Sequence, residues 1–174
     1  MILKQEIKEA GKAAIDNNKN KYTPVSGISE LKKAIIKKLK RDNGLDYAEN
    51  EIIVSTGAKQ SLFNLIAVLA NPEDEFIIIK PYWVSYAEQI RFFGAVPVIA
   101  DCEDDFEIKA EYMEQKITPK TKAIIINSPC NPSGAVIDKQ ELQKISELAA
   151  KNDLYLISDE IYEYLIYQGK HYSI

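Results

Sequence analysis

Four short segments hold the residue types that could do chemistry, and each follows a run of apolar residues. In Ser55-Thr56-Gly57-Ala58-Lys59-Gln60 small residues let the backbone approach a ligand. A helix starting there would offer free N–H groups and its positive dipole end to a phosphate. A plain strand-to-helix turn would read the same way. Pro81-Tyr82-Trp83 carries the only tryptophan of the chain, a ring able to cover a flat ligand or simply to pack in a core. Asn127-Ser128-Pro129-Cys130-Asn131-Pro132-Ser133-Gly134 is a loop stiffened by two prolines that aims the Asn131 side chain. Asn131-Pro132 is a candidate cis peptide, since only X–Pro bonds tolerate that geometry cheaply. Ser158-Asp159-Glu160-Ile161-Tyr162-Glu163 places a carboxylate, and three residues later a phenol, after an apolar run. Taken alone, that pair would also suit a helix cap and a packed ring.

The elements that must position these segments alternate. Strands are expected at 51–55, 75–79, 97–101, 123–127 and 154–158. The runs Phe76-Ile77-Ile78-Ile79 and Ala123-Ile124-Ile125-Ile126 are apolar throughout, as in strands covered on both faces. Helices are expected between them, at 61–69, 86–93, 110–116 and 139–151, the last with Asp138 as N-cap and Glu141 as its capping-box partner. Two earlier helices, 2–19 and 28–43, flank Lys21-Tyr22-Thr23-Pro24-Val25-Ser26-Gly27. The alternation predicts an α/β fold with an open, mostly parallel sheet and flanking helices. In such sheets ligands gather beyond the carboxyl ends of the strands, where the four segments fall. The first helix opens without a cap and no helix closes the last strand, so both ends read as unfinished.

Composition narrows the function classes. The 174 residues are 46% hydrophobic and 28% charged, which suits a soluble globular domain with a real core. A net charge of -4 gives no reason to expect a nucleic-acid partner. No apolar run approaches the ~20 residues of a membrane span, and no secretory signal opens the chain. Cys102, Cys130 and the single histidine, His171, show no metal-ligand spacing. Two reduced thiols in a cytoplasmic protein are the expected reading.

In their order and spacing the four segments resemble class I aminotransferases of the aspartate aminotransferase type, the fold type I family that uses pyridoxal 5'-phosphate. The resemblance runs from Asn18-Lys19-Asn20-Lys21-Tyr22-Thr23-Pro24, through Gly27-Ile28-Ser29-Glu30-Leu31, to Tyr162. It implies that residues 1–174 are part of the family's large, cofactor-binding domain, truncated at both ends. It further implies that Asp159 pairs with the pyridine nitrogen and that Tyr162 and Asn131 hydrogen-bond the ring's phenolic oxygen. Trp83 would stack on the ring, and Gly57, Ala58 and Lys59 would form the phosphate turn. Tyr22 would reach the phosphate in the neighbouring subunit of a homodimer.

The departures lie at the ends. The family's Schiff-base lysine would lie beyond the segment matching 169–174, so no residue of this chain is expected to be catalytic. Lys170 and Lys59 do not match it. The amino-terminal arm and the small domain with its carboxylate-gripping arginine are also expected to be missing. The function implied is transfer of an amino group between an amino acid, aspartate or a broader set, and a 2-oxo acid. The chain alone is expected to be inactive. Lyases on the same fold, and a non-catalytic truncated product or cofactor- or partner-binding module derived from an aminotransferase, are the competing readings.

Overall fold

A computed structural model describes residues 4–102 and 106–174. The chain divides after Val54 into two compact units.

In the first unit, α1 (Gln5–Asp16) buries none of its residues, and α2 (Ser29–Lys38) buries only Lys32, whose ammonium donates to the Glu49 carbonyl. α2 runs into a π turn, Leu39–Asn43, closed by Gly44 in the left-handed conformation. The strand expected at 51–55 does not form. A 3₁₀ turn occupies Glu49–Glu51 and the extended residues after it pair with no strand. Three β-branched residues favour extension there, but a strand also needs a ladder, and among the described residues Val54 is held by a bond from its N–H to the Ser26 carbonyl at 3.0 Å, which belongs to no strand. Gly27 lies beside Val54 with φ +100, and a Cβ there would meet Val54 Cγ2 at 2.6 Å. Only glycine fits that turn.

The second unit holds α3 (Ala58–Leu69), β1 (Glu75–Ile79), α4 (Ser85–Phe92), β2 (Val96–Ala100), α5 (Ala110–Glu114), β3 (Thr121–Asn127), α6 (Lys139–Lys151) and β4 (Tyr155–Asp159). The strands form one parallel sheet in the order β2-β1-β3-β4. The expected fold class is therefore found, with element ends shifted by a few residues. Strand alternation deals the side chains to two faces. Ile77, Ile79, Ile124 and Ile126 pack with Met113, Leu142 and Ile145 of α5 and α6. Phe76, Ile78, Ala123 and Ile125 pack with Leu62, Ile66, Tyr86 and Ile90 of α3 and α4. Each fully buried isoleucine contributes roughly 1.5–3 kcal/mol relative to exposure, which is why these short strands read as unbroken apolar runs.

Asp138 caps α6 as expected, its carboxylate accepting from the Gln140 and Glu141 N–H groups. Glu141 does not complete the box. Its carboxylate instead accepts from the Ala110 N–H at 3.1 Å and pairs with Lys144. It ties α5 to α6, a link between two elements that outcompetes the purely local one.

Candidate active site

The strand order places β1 and β3 side by side in the sheet while the chain runs from β1 to β2 on one side and on to β3 and β4 on the other. Beyond the carboxyl ends of β1, β3 and β4 lies a cavity of about 290 Å³, lined by Gly57, Ala58, Lys59, Trp83, Tyr86, Asn127, Asn131, Asp159, Ile161 and Tyr162. All the residues singled out from the sequence line it except Tyr22, which belongs to the first unit and is fully exposed.

Asp159 is the last residue of β4 and is buried. Tyr86 of α4 donates its phenol proton to Asp159 Oδ2 at 2.6 Å, and the Ile161 N–H donates to Oδ1 at 3.2 Å. These bonds fix the plane of the carboxylate. Burial, and then the bond to Asp159, push the Tyr86 phenol far above its ordinary range, so Tyr86 serves as a permanent donor.

Asn127 stands next to Asp159 in register across the β3–β4 pair. Its side-chain NH2 donates to the Asp159 carbonyl at 2.9 Å, and its Oδ1 accepts the Asn131 N–H at 2.7 Å. One amide thus ties the end of β4 to the loop that carries Asn131. That loop has cis peptides at Asn131-Pro132, as expected, and at Ser128-Pro129; a third lies at Lys80-Pro81. The Cys130 thiol donates to the Pro81 carbonyl at 3.3 Å, joining the β3 loop to the β1 loop. Neither cysteine forms a disulfide.

Trp83 meets the Tyr86 ring edge-on at 5.4 Å, and the Lys59 ammonium lies 4.9 Å from the centroid of its indole. Gly57 caps α3 at φ +80, and a Cβ there would meet nothing within 4 Å. The first N–H groups of α3 have no carbonyl four residues back to bond. That open glycine beside a helix start can seat an anion. Gln89 of α4 holds this turn, donating to the Lys59 carbonyl at 3.2 Å.

Tyr86 and Asn127 were not singled out from the sequence as site residues. Asn127 opens one of the four segments and Tyr86 the helix expected at 86–93, but an aromatic at helical spacing and an asparagine ending a strand carry no pattern separating a site from a core. Only the pairing of β3 with β4 and the packing of α4 bring them to Asp159.

An open parallel sheet with a helix start, an aromatic ring and a buried carboxylate around a cavity at its strand ends has the layout of an α/β ligand crevice. The sequence profile of "Aminotransferase class I and II" matches residues 2–174. The aspartate/prephenate aminotransferase of Thermus thermophilus is 46% identical over 171 residues, covering 97% of this chain and 44% of that protein. The aspartate aminotransferase of Bacillus sp. strain YM-2 is 49% identical over 173 residues, covering 98% and 44%. The solved structure of the Thermus thermophilus aspartate aminotransferase with maleate superposes with a TM-score of 0.94 at 46% identity, covering 96% of this chain and 44% of that one. The chain belongs to the class I and II aminotransferase family, and it spans less than half the length of these relatives.

Proposed function

We propose that residues 1–174 supply most of the cofactor cleft of a pyridoxal-phosphate-dependent aminotransferase that moves an amino group between an amino acid and a 2-oxo acid. The observation that carries this reading is the buried Asp159 carboxylate, oriented by Tyr86 and the Ile161 N–H toward a cavity with an aromatic platform and a helix start.

The donor set fits the cofactor. Asp159 would hold the protonated pyridine nitrogen, Tyr162 and Asn131 the phenolic oxygen, Trp83 the ring face, and the Gly57-Ala58-Lys59 turn the phosphate. When bound, pyridoxal phosphate supplies an electron sink for charge developing at the amino acid's α-carbon. The residues of this chain bind and orient it. Asp159 keeps a proton at the ring nitrogen, and Asn131 and Tyr162 favour the ionised phenolic oxygen. Aspartate is the favoured amino donor, supported by the names of the relatives; a broader set is the alternative. A homodimer is part of the proposal, with the exposed Tyr22 directed to the phosphate of the neighbouring subunit. The favoured setting is the cytoplasm, in keeping with two cysteines that form no disulfide. No helix among the described residues is long and apolar enough to cross a membrane.

The test is made on the protein expressed from its complete gene. Pyridoxal phosphate should bind with a visible absorbance change, and aspartate with 2-oxoglutarate should yield glutamate. Asp159→Asn removes a charge-assisted bond worth about 1.5–3 kcal/mol, so it should lower transfer by roughly tenfold to a hundredfold. A protein that leaves the cofactor spectrum unchanged ends the proposal.

A further inference from the structure

The turn-rich segment after β4 leaves the sheet at Glu160, carries Ile161 and Tyr162 past the cavity, and returns at His171–Ser173. Its two ends are joined by one side chain. Glu160 Oε1 accepts from the Ser158 hydroxyl at 2.8 Å. Glu160 Oε2 accepts from the Ser173 hydroxyl at 2.6 Å and faces His171 Nε2 at 3.0 Å. A carboxylate oxygen can only accept, so the imidazole proton belongs on Nε2. The His171 side chain is only 10% exposed, and its Nδ1 is buried with no partner among the described residues. The return segment is anchored elsewhere, because Tyr172 and Ile174 pack against the hydrophobic cluster of the α5–α6 face.

Glu160, Glu163 and His171 also offer ligand atoms within 4.8 Å of one another. Both Glu160 oxygens are already engaged by two hydroxyls and the imidazole, however, so the cluster works as a hydrogen-bonded clamp. Its position gives it a task. Glu160 lies between Asp159 and Ile161, and its bond to Ser158 spans the backbone of Asp159. The clamp therefore fixes both neighbours of the buried carboxylate and closes the loop that presents Tyr162.

We propose that Glu160, clamped by Ser158, His171 and Ser173, is a positioning residue that sets where Asp159 and Tyr162 stand in the cavity. Its effect on cofactor rests on the function proposed above. Its effect on the loop does not.

The experiment compares His171→Phe, which keeps a ring but removes the donor, with His171→Gln, whose amide can return an N–H near the position of Nε2. Both are made in the protein expressed from its complete gene. Amide exchange of residues 160–165 is read by mass spectrometry, and the pH midpoint of the bound pyridoxal phosphate absorbance is read in parallel. His171→Phe should speed exchange about tenfold and shift the midpoint, since a displaced Tyr162 no longer stabilises the ionised phenolic oxygen; His171→Gln should restore both. Unchanged exchange in His171→Phe overturns the clamp. Faster exchange with an unmoved midpoint overturns the positioning role, and so does equal damage from both variants. A wild-type protein that binds no cofactor removes the function proposed above and with it the role toward cofactor, while the exchange data still decide the clamp.

Discussion

Between Ser55 and Ile174 every strand sends side chains into one of two closed hydrophobic clusters, whereas α1 buries no residue and leaves Ile7 and Ile15 56% and 67% exposed. The second unit carries its own core, with four consecutive apolar residues in β1 (Phe76 to Ile79) and four in β3 (Ala123 to Ile126) wedged between helix layers. The first holds together through a few specific contacts, such as the Lys32 bond to Glu49 and the Gly27–Val54 approach. The difference teaches where a substitution should hurt. Area removed from water sets the scale in one unit, and single backbone positions set it in the other.

The sharpest test compares two isoleucine truncations. Ile124 is fully buried at the centre of the sheet, so Ile124→Ala should cost about 2–5 kcal/mol through lost burial and the cavity left behind. Ile7→Ala on α1 should stay within about 0.5 kcal/mol. Urea unfolding followed by circular dichroism measures both. Equal losses would erase the distinction between the units.

Gly27→Ala is the counter-example inside the first unit. A non-glycine residue at a positive φ costs roughly 1–3 kcal/mol, and here Val54 must also move. The expected signal is local: the Val54 N–H, bonded to Ser26, should exchange at least about tenfold faster. An unchanged rate would mean that the turn re-forms without glycine.

Legibility followed the same division. The buried β1 and β3 announce themselves as β-branched apolar runs, because a strand covered on both faces has no polar position to interrupt it. Residues 51–55 gave the same local signal, yet no ladder partner stands beside them, and pairing is a property of topology rather than of the segment. The cavity residues Trp83, Asn131 and Asp159 were legible because they stand at or just after strand ends, where parallel sheets place their ligands, and Gly57 because a glycine opens the helix α3. Tyr86 and Asn127 were not, since what distinguishes them is a partner 73 or 32 residues away along the chain. Glu141 failed for a related reason. Its local role as a capping partner was readable, but the more distant Ala110 N–H claimed it.

Tyr86→Phe tests the link between core and cavity within the second unit. The ring still fills its place, but the buried Asp159 carboxylate loses a donor, so stability at neutral pH should fall by about 1–2 kcal/mol. The phenol's folded pKa is raised from an ordinary value near 10. Its contribution is therefore fully present below about pH 10 and is lost as pH rises further, when the unfolded chain ionises and the folded one resists. Urea midpoints between pH 8 and 11 should converge for the two proteins. A gap that widens with pH would show that burial of this phenol does not control the alkaline limb.

The smallest effects come from helix ends and compare the units most directly. Asp138 caps α6 through two N–H groups, and Asp138→Ala should cost about 1 kcal/mol, read as a lower urea midpoint. At the start of α1 the N-cap is Lys4, whose side chain makes no capping bond and whose charge opposes the helix dipole. Lys4→Asp supplies an acceptor and reverses the charge, so α1 should gain about 0.5–1 kcal/mol of local stability. The global urea midpoint should barely move, because cooperative unfolding reports the buried sheet. Amide exchange across Gln5–Asp16 should slow about threefold. If Lys4→Asp raised the global midpoint as much as Asp138→Ala lowers it, α1 would be coupled to the sheet's unfolding, and its stability would have to be counted with the core.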